Sequence, residues 1–445
     1  MVRVYNNPQR SLWRELQERA SFDDTIILER VKVILERIKN GGDAALREVV
    51  KEIDGWEASS FLYSVDFMAE GESSAKECAC SSKFVELGVS VELQEAINTA
   101  YSNITKFHTL QESRVIDIET TPGVRCIQKP IPIERVGLYI PGGSAPLFST
   151  VLMLGVPAQV AKCKEVVLST PVNKEGVIAP EILYAASLCG IKEIYGIGGA
   201  QAIAAMAYGT ESIKPVDKIF GPGNRYVTKA KQIVAQERVA IDMPAGPSEV
   251  MILADSSSNP AFVVADMLSQ AEHGGDSQAI LVTNCAELVD KVQKEITAQL
   301  ELLSRSAITA KALDNSKIIV LESMQEVIDF ANEYASEHLI VSTSEPWSVV
   351  NEISCAGSIF VGYYTPESAG DYASGTNHTL PTNGWARSYS GVNLDAFVKK
   401  VTIQEISAQG LVNLGGTIVK MADAEGLDAH ANAVKIRLKE LNNER

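Results

Sequence analysis

Five histidines occur in this 445-residue sequence, and four of them stand in polar blocks of its second half. His273 lies in Ser-Gln-Ala-Glu-His-Gly-Gly-Asp and His338 in Ala-Ser-Glu-His-Leu. His378 lies in Gly-Asp-Tyr-Ala-Ser-Gly-Thr-Asn-His-Thr and His430 in Glu-Gly-Leu-Asp-Ala-His-Ala-Asn. Imidazole is the common neutral metal ligand and the side chain that ordinarily titrates near neutral pH. An acid or amide stands close to each of these four, so the blocks read as parts of one dispersed site. His108, the fifth, sits beside Phe107 with no acidic block and reads as packing or surface.

The spacing within each block suggests what it could do. Gln270 and His273 are three residues apart near the end of a helix expected from Asn259 and Pro260 to Gly274-Gly275, which places an amide oxygen and an imidazole on one face of its last turn. That pair suits a metal, or is simply a polar helix end. Glu337-His338 closes a helix expected over 324–336, just before a strand over 339–342. A carboxylate beside an imidazole suits general acid–base work. Ligands in open α/β sheets gather at the carboxyl ends of parallel strands, so a strand carrying these residues at its amino end is expected to run against its neighbours. The block Thr365–Thr382, with Asp371, Asn377 and His378, has too many polar groups for a core segment. It is expected to be a loop facing substrate or metal. Around Gly426 the pattern is helix–glycine–helix with Asp428 as cap, a kink that would let Glu425 and His430 converge.

Three glycine-rich turns follow short β-rich runs: Tyr139-Ile-Pro-Gly-Gly143, Gly196-Ile-Gly-Gly-Ala-Gln201 and Gly221-Pro-Gly-Asn224. Gln201 stands where a dinucleotide fingerprint would carry its third glycine, so the match is partial. At the carboxyl ends of one sheet, three such turns could form a phosphate or dinucleotide crevice; each could equally be a plain tight turn.

The elements that must position these groups follow strand–helix alternation from about residue 131. Strands are expected at 135–140, 165–170, 193–198, 218–220, 250–254, 279–283, 317–321, 339–342 and 358–361, with helices between them. That grammar implies α/β architecture with mostly parallel sheets in two comparable units. Helices are expected over 12–54 and from about 91, and after Pro381 short helices with little strand. The expected domains are a helical arm over 1–30, one α/β domain over 31–130 and 240–380, a second over 131–239, and a tail over 381–445.

Bulk properties narrow the function. The formal charge of −16 argues against nucleic acid or an anionic membrane as principal partner. Hydrophobic residues at 46% and charged ones at 22% are ordinary for a soluble enzyme. The amino terminus has no apolar h-region, and the apolar stretch 144–161 is interrupted by Pro146 and Pro157. Seven cysteines without a disulfide-like framework fit a reducing cytoplasm. Cys78 and Cys80, in the polar stretch 69–83, have no second pair to complete a zinc site.

Together these blocks closely resemble the histidinol dehydrogenase family over nearly the whole chain. The likeness rests on Tyr-Ile-Pro-Gly-Gly, Gly-Gly-Ala-Gln-Ala-Ile-Ala-Ala, Phe-Gly-Pro-Gly-Asn, Asp-Met-Pro-Ala-Gly-Pro-Ser-Glu and the four histidine blocks. The stretch 69–83 is longer than the family usually has. The resemblance implies two Rossmann-like, aldehyde-dehydrogenase-like domains with helical tails, and a zinc ion held by Gln270, His273, Asp371 and His430. It implies Glu337 and His338 as the acid–base pair. Ser248, His378 and Glu425 would be substrate contacts beside His338 and the metal residues, with Tyr139, Gln201 and Asn224 around NAD+. It further implies four-electron oxidation of L-histidinol to L-histidine with two NAD+, in a cytoplasmic homodimer whose His430 and Glu425 cross to the partner's site. Three rivals stand beside this reading: oxidation of a different primary alcohol by the same steps, hydrolysis by zinc-bound water, and a non-catalytic zinc- or nucleotide-binding protein, which the presence of both Glu337 and His338 disfavours.

Overall fold

The computed structural model describes residues 2–19, 24–64, 84, 88–142, 146–244 and 246–443. The stretch 69–83 with Cys78 and Cys80, and Gly143 of the first glycine turn, lie outside the described residues. The chain divides into two compact units, residues 1–110 with 134–394, and residues 111–133 with 395–445.

Numbered along the chain, the first unit carries β1 (Arg3–Asn6), β2 (Leu62–Ser64), β5 (Arg135–Tyr139), β6 (Glu165–Thr170), β7 (Glu193–Gly196), β8 (Lys218–Phe220) and β9 (Ala240–Ile241). It continues with β10 (Glu249–Ala254), β11 (Gln278–Thr283), β12 (Lys317–Val320), β13 (His338–Ser342) and β14 (Ser358–Val361). Among the described residues these strands form two six-stranded sheets, ordered β1-β12-β11-β10-β13-β14 and β2-β7-β6-β5-β8-β9. Leaving aside the edge strands β1 and β2, both follow the doubly wound order 3-2-1-4-5. The first sheet is parallel throughout; in the second only β2 runs antiparallel.

The strands read as they do because both faces are covered. β10 is buried from end to end, with Val250, Ile252 and Ala254 in one apolar cluster and Met251 and Leu253 in the other. This period-two division between two helical layers gives the continuous apolar run typical of a parallel strand. The exceptions stand at the strand ends: β10, β11 and β13 begin with Glu249, Gln278 and His338, and β11 and β13 end with Thr283 and Ser342, all buried. Among the described residues the most apolar helix, Phe148–Val160, is buried through residues 149–158, and no helix there is long and apolar enough to cross a membrane.

Several expectations are corrected. β13 does not run against its neighbours; it pairs in parallel with β10 and β14, so its first residue faces the amino-terminal edge of the sheet. The helix Thr25–Asp54 packs on helices Gly199–Tyr208 and Arg225–Glu237, and β2 pairs with β7. Residues 25–64 therefore accompany the second sheet, where 31–64 had been expected with 240–380. An amphipathic helix does not reveal which of two apolar sheet faces it will cover. The arm 1–30 opens with a strand, β1, on the edge of the first sheet. In the second unit, β3 (Ile116–Thr121), β4 (Val124–Pro132) and β15 (Val398–Ile406) form an antiparallel sheet. Short helices with little strand had been expected after Pro381, yet β15 runs for nine residues; it is almost wholly exposed, so no buried face imprints a strand pattern on it. The helices Ala408–Ala424 and Asp428–Asn443 follow, joined through Gly426 at φ 73°.

Candidate active site

The amino-terminal edge of the first sheet gathers an unusual set of buried polar groups. The helix Met324–Tyr334 stops because Ala335 adopts the left-handed conformation at φ 56°. Ser336 and Glu337 then lead into β13, and His338 is its first residue. Its imidazole is buried, and among the described residues neither ring nitrogen has a hydrogen-bond partner. Three carboxylates face it beyond hydrogen-bond distance: Glu337 Oε2 at 3.6 Å and Glu367 Oε1 at 3.7 Å from Nδ1, and Asp371 Oδ1 at 3.7 Å from Nε2. Burial opposes protonation of His338, but Glu367, Glu337 and Asp371 outweigh it and hold the imidazole's pKa well above its usual value.

Glu337 is oriented by the next strand, whose Glu249 N–H donates to its Oε2 at 2.9 Å. The Glu249 side chain is fixed in turn by Arg19, whose Nε and Nη2 donate to its two oxygens at 2.9 and 3.0 Å, and by the Tyr334 hydroxyl at 3.1 Å. Asp371 and Glu367 come from one short helix, Glu367–Tyr372. Burial opposes ionisation of Asp371, yet the imidazoles of His338, His378 and His273 hold its carboxyl below the usual range. Glu367 is pushed the other way, up to about 8, by burial and by Asp371, Glu337 and Asp266, against the opposing pull of His338. Asp266 is itself pushed up to about 6 by burial.

The predicted residues fall into three groups. His273 and Asp371 come together, Nε2 to Oδ2 at 3.9 Å, although the helix bearing Gln270 ends at Ala271 and His273 lies just beyond it. His378 joins them from the following loop: its Nδ1 contacts the Asp371 carbonyl at 2.8 Å and its Nε2 the Thr150 hydroxyl at 3.2 Å. Gln270 is buried beside Glu367. Oriented to satisfy both ends of its amide, it donates to both Glu367 oxygens and accepts from the Glu249 N–H at 3.0 Å. Ser248 precedes Glu249, and its carbonyl accepts from Gln278 N–H at 3.1 Å.

Tyr139, Gln201 and Asn224 form the second group, on the other sheet. Tyr139 is buried, with its hydroxyl accepting from the Gly199 N–H at 3.0 Å. The Gln201 amide donates to Asp54 at 3.0 Å. Asn224 caps the helix Arg225–Glu237, accepting from the N–H groups of Tyr226 and Val227. Glu425 and His430, the third group, belong to the second unit, and both are exposed there. Asp428 is the first residue of its helix rather than the cap before it.

The block Thr365–Thr382 is less loop-like than expected. It contains the helix Glu367–Tyr372, and Glu367, Asn377, Thr379 and Thr382 are buried. Partners inside the fold make this possible: Asn377 donates to the Met153 carbonyl at 2.6 Å and accepts from Thr379 N–H at 3.0 Å. His108 is buried, as packing requires, with Nδ1 2.8 Å from the Ile104 carbonyl and Nε2 3.4 Å from Asn377 Nδ2.

Glu367 was not singled out from the sequence. The available signal was its spacing of four from Asp371 just after Pro366, which places two acids on one face of a helix. Its importance shows in the donor atoms of His273, Glu367 and Asp371, which lie within 4.8 Å of one another. One nitrogen and two carboxylate oxygens suit zinc or another borderline divalent cation. Charge points the same way: Glu337, Glu367 and Asp371 converge on one buried imidazole, a local excess of acid that a divalent cation would offset. The site therefore fits a metal, with Glu367 in the set that the fold draws together.

The family model described as histidinol dehydrogenase matches residues 17–438. A histidinol dehydrogenase of Bacteroides fragilis is 51% identical over 440 residues, covering 99% of this chain and 100% of its own. One of Colwellia psychrerythraea is 50% identical, covering 94% of each. A crystal structure of histidinol dehydrogenase from Elizabethkingia anophelis superposes with a TM-score of 0.92 at 50% identity, covering 99% of both chains.

Proposed function

As the chain belongs to the histidinol dehydrogenase family, oxidoreductases of histidine biosynthesis, we propose that it oxidises L-histidinol through L-histidinaldehyde to L-histidine, using zinc and two NAD+. The observation that carries this reading is His338, a buried imidazole whose two nitrogens lack hydrogen-bond partners among the described residues while three carboxylates face it. A core histidine would have both nitrogens satisfied; this one is arranged to exchange a proton with something that enters.

His273 and Asp371 would hold the metal with Gln270 and, from the partner chain of a homodimer, His430, and Glu367 stands ready as an additional oxygen donor. When bound, zinc would hold the imidazole and amino nitrogens of the substrate and offset the negative charge that keeps a proton on His338. His338 then takes the alcohol proton while hydride passes from the carbinol carbon to nicotinamide, which gives the aldehyde and the first NADH. Glu337, anchored by the Glu249 N–H, is placed to draw a proton from water as its oxygen adds to the aldehyde, while protonated His338 returns its proton to the carbonyl oxygen, which gives the hydrate and a free imidazole. In the second hydride transfer, from the hydrate carbon to a fresh NAD+, His338 again accepts a hydroxyl proton, and the acid so formed ionises to the carboxylate beside the second NADH. Ser248, His378 and Glu425 would contact substrate. NAD+ is assigned to the carboxyl edge of the second sheet, near Tyr139, Gln201 and Asn224. β5 and β8 are neighbours in that sheet and their connections depart in opposite directions, the switch point at which doubly wound sheets bind nucleotides. A cytoplasmic location accords with the chemistry.

The decisive assay counts NADH per histidine formed. Two are expected with L-histidinol, falling to none after chelation and returning with added zinc. One NADH per turnover, or equal turnover of primary alcohols lacking the amine and imidazole, would sink the substrate assignment. The shared site has its own test. His273→Ala and His430→Ala chains, each inactive alone, should regain activity when mixed, because one composite site in a heterodimer is intact. Heterodimers that form and stay inactive would show that His430 does not serve the partner's metal.

A further inference from the structure

The turn Gly221–Asn224 after β8 is held by a buried ion pair that none of the chemistry above uses. Lys231, on the helix Arg225–Glu237, places Nζ 2.5 Å from Asp242 Oδ1, with side-chain exposures of 5% and 1%. Both partners also grip one residue of the turn. Lys231 Nζ donates to the Gly221 carbonyl at 2.7 Å, and the Gly221 N–H donates to Asp242 Oδ2 at 2.8 Å. Asp242 is itself immobilised, accepting from the Met243 N–H at 2.8 Å while its own N–H donates to the Ile219 carbonyl at 3.1 Å.

The gripped residue has no freedom to spare. Gly221 has φ +130°, and a Cβ there would stand 2.1 Å from the Tyr139 carbonyl, so the turn after β8 lies directly against the end of β5. These are the two strands that flank the switch point. A buried ion pair is a weak source of net stability, because desolvation cancels much of the attraction; what it supplies is fixed geometry. Apolar side chains could fill the same volume, but they could not hold the N–H and the C=O of one glycine at once.

We infer that Lys231 and Asp242 are positioning residues for NAD+: they fix the Gly221 backbone so that the turn ending at Asn224 keeps the shape that receives the dinucleotide. This rests on the placement of NAD+ at that turn. Neither side chain touches the metal or the acid–base groups, which lie at the edge of the other sheet, so their effect falls on one substrate only.

The test separates the two Michaelis constants. Lys231→Met keeps most of the stem and removes the ammonium; Asp242→Asn keeps an oxygen for the Gly221 N–H and removes the ion pair. Each should raise the KM for NAD+ by about 10- to 100-fold, the range for losing a hydrogen bond to a charged group, with the KM for L-histidinol and bound zinc unchanged. A purely structural role would move both constants and the metal content together, and that result overturns the inference, as does an unchanged KM for NAD+. If Lys231→Met does not fold, Asp242→Asn carries the test. Amide hydrogen exchange of the unaltered protein with and without NAD+ checks the placement by itself. No protection over residues 223–227 removes NAD+ from this turn and the inference with it. Protection there, with normal NAD+ kinetics in the variants, removes only the role of the ion pair.

Discussion

Replacing His338 with asparagine is expected to lower kcat for histidinol oxidation by about 10²- to 10⁴-fold, the usual contribution of one general acid–base group, while zinc stays bound. Asparagine keeps a polar side chain of similar reach in a buried position but cannot carry a proton at neutral pH. His338 stands 3.7 Å from Asp371 Oδ1 and contributes no atom to the His273, Glu367 and Asp371 donor set, so metal content should not follow activity. Loss of zinc from His338→Asn, measured by metal analysis after gel filtration, would reassign the residue from proton transfer to ligation. Removal of this imidazole also leaves Glu337 and Glu367 facing each other without a cation between them. A fall in melting temperature is therefore expected and is not by itself evidence against the role.

The second large effect is expected at Asp371. Its carboxylate meets His338 on one oxygen and His273 on the other, and its backbone carbonyl receives His378. Asp371→Asn keeps the shape and removes the charge that those imidazoles stabilise. Zinc affinity should fall by more than about 100-fold, beyond the 10- to 100-fold typical of a residue that only supports a ligand, and activity at limiting zinc should fall with it. Glu367→Gln in the same titration shows what the neighbouring acid does. A loss within the supporting range marks it as a prop for Gln270, and one as large as that of Asp371→Asn marks it as a ligand. Asp371→Asn binding zinc as tightly as the unaltered chain would remove Asp371 from the metal site.

Much of the site was legible before the fold was known, because polar groups in sequence contrast with the apolar runs around them. The strands 165–170, 218–220 and 358–361 were bounded correctly, since each stops at a backbone breaker, Pro171, Gly221 or Gly362. The same contrast marked Glu337-His338 and Gln270 as groups with no place in a hydrophobic core. Glu367 escaped because a lone acid after a proline reads as an ordinary helix start; only the fold turns it inward beside His338 and Gln270. β15 escaped because exposed residues are not constrained to alternate.

The chain's local sequence was enough to determine the class of fold and the family. Both depend on residue type and short-range spacing. Which edge of which sheet would hold the site was decided only by tertiary structure. A strand's direction relative to its neighbours depends on pairings between segments tens of residues apart, and no local pattern encodes it. The expectation that β13 would run against its neighbours failed for that reason. With β10 and β13 parallel, Glu249 and His338 both begin their strands at one edge, and the Glu249 N–H meets the Glu337 carboxylate there. The switch point of the other sheet, between β5 and β8, likewise exists only once the strand order is known.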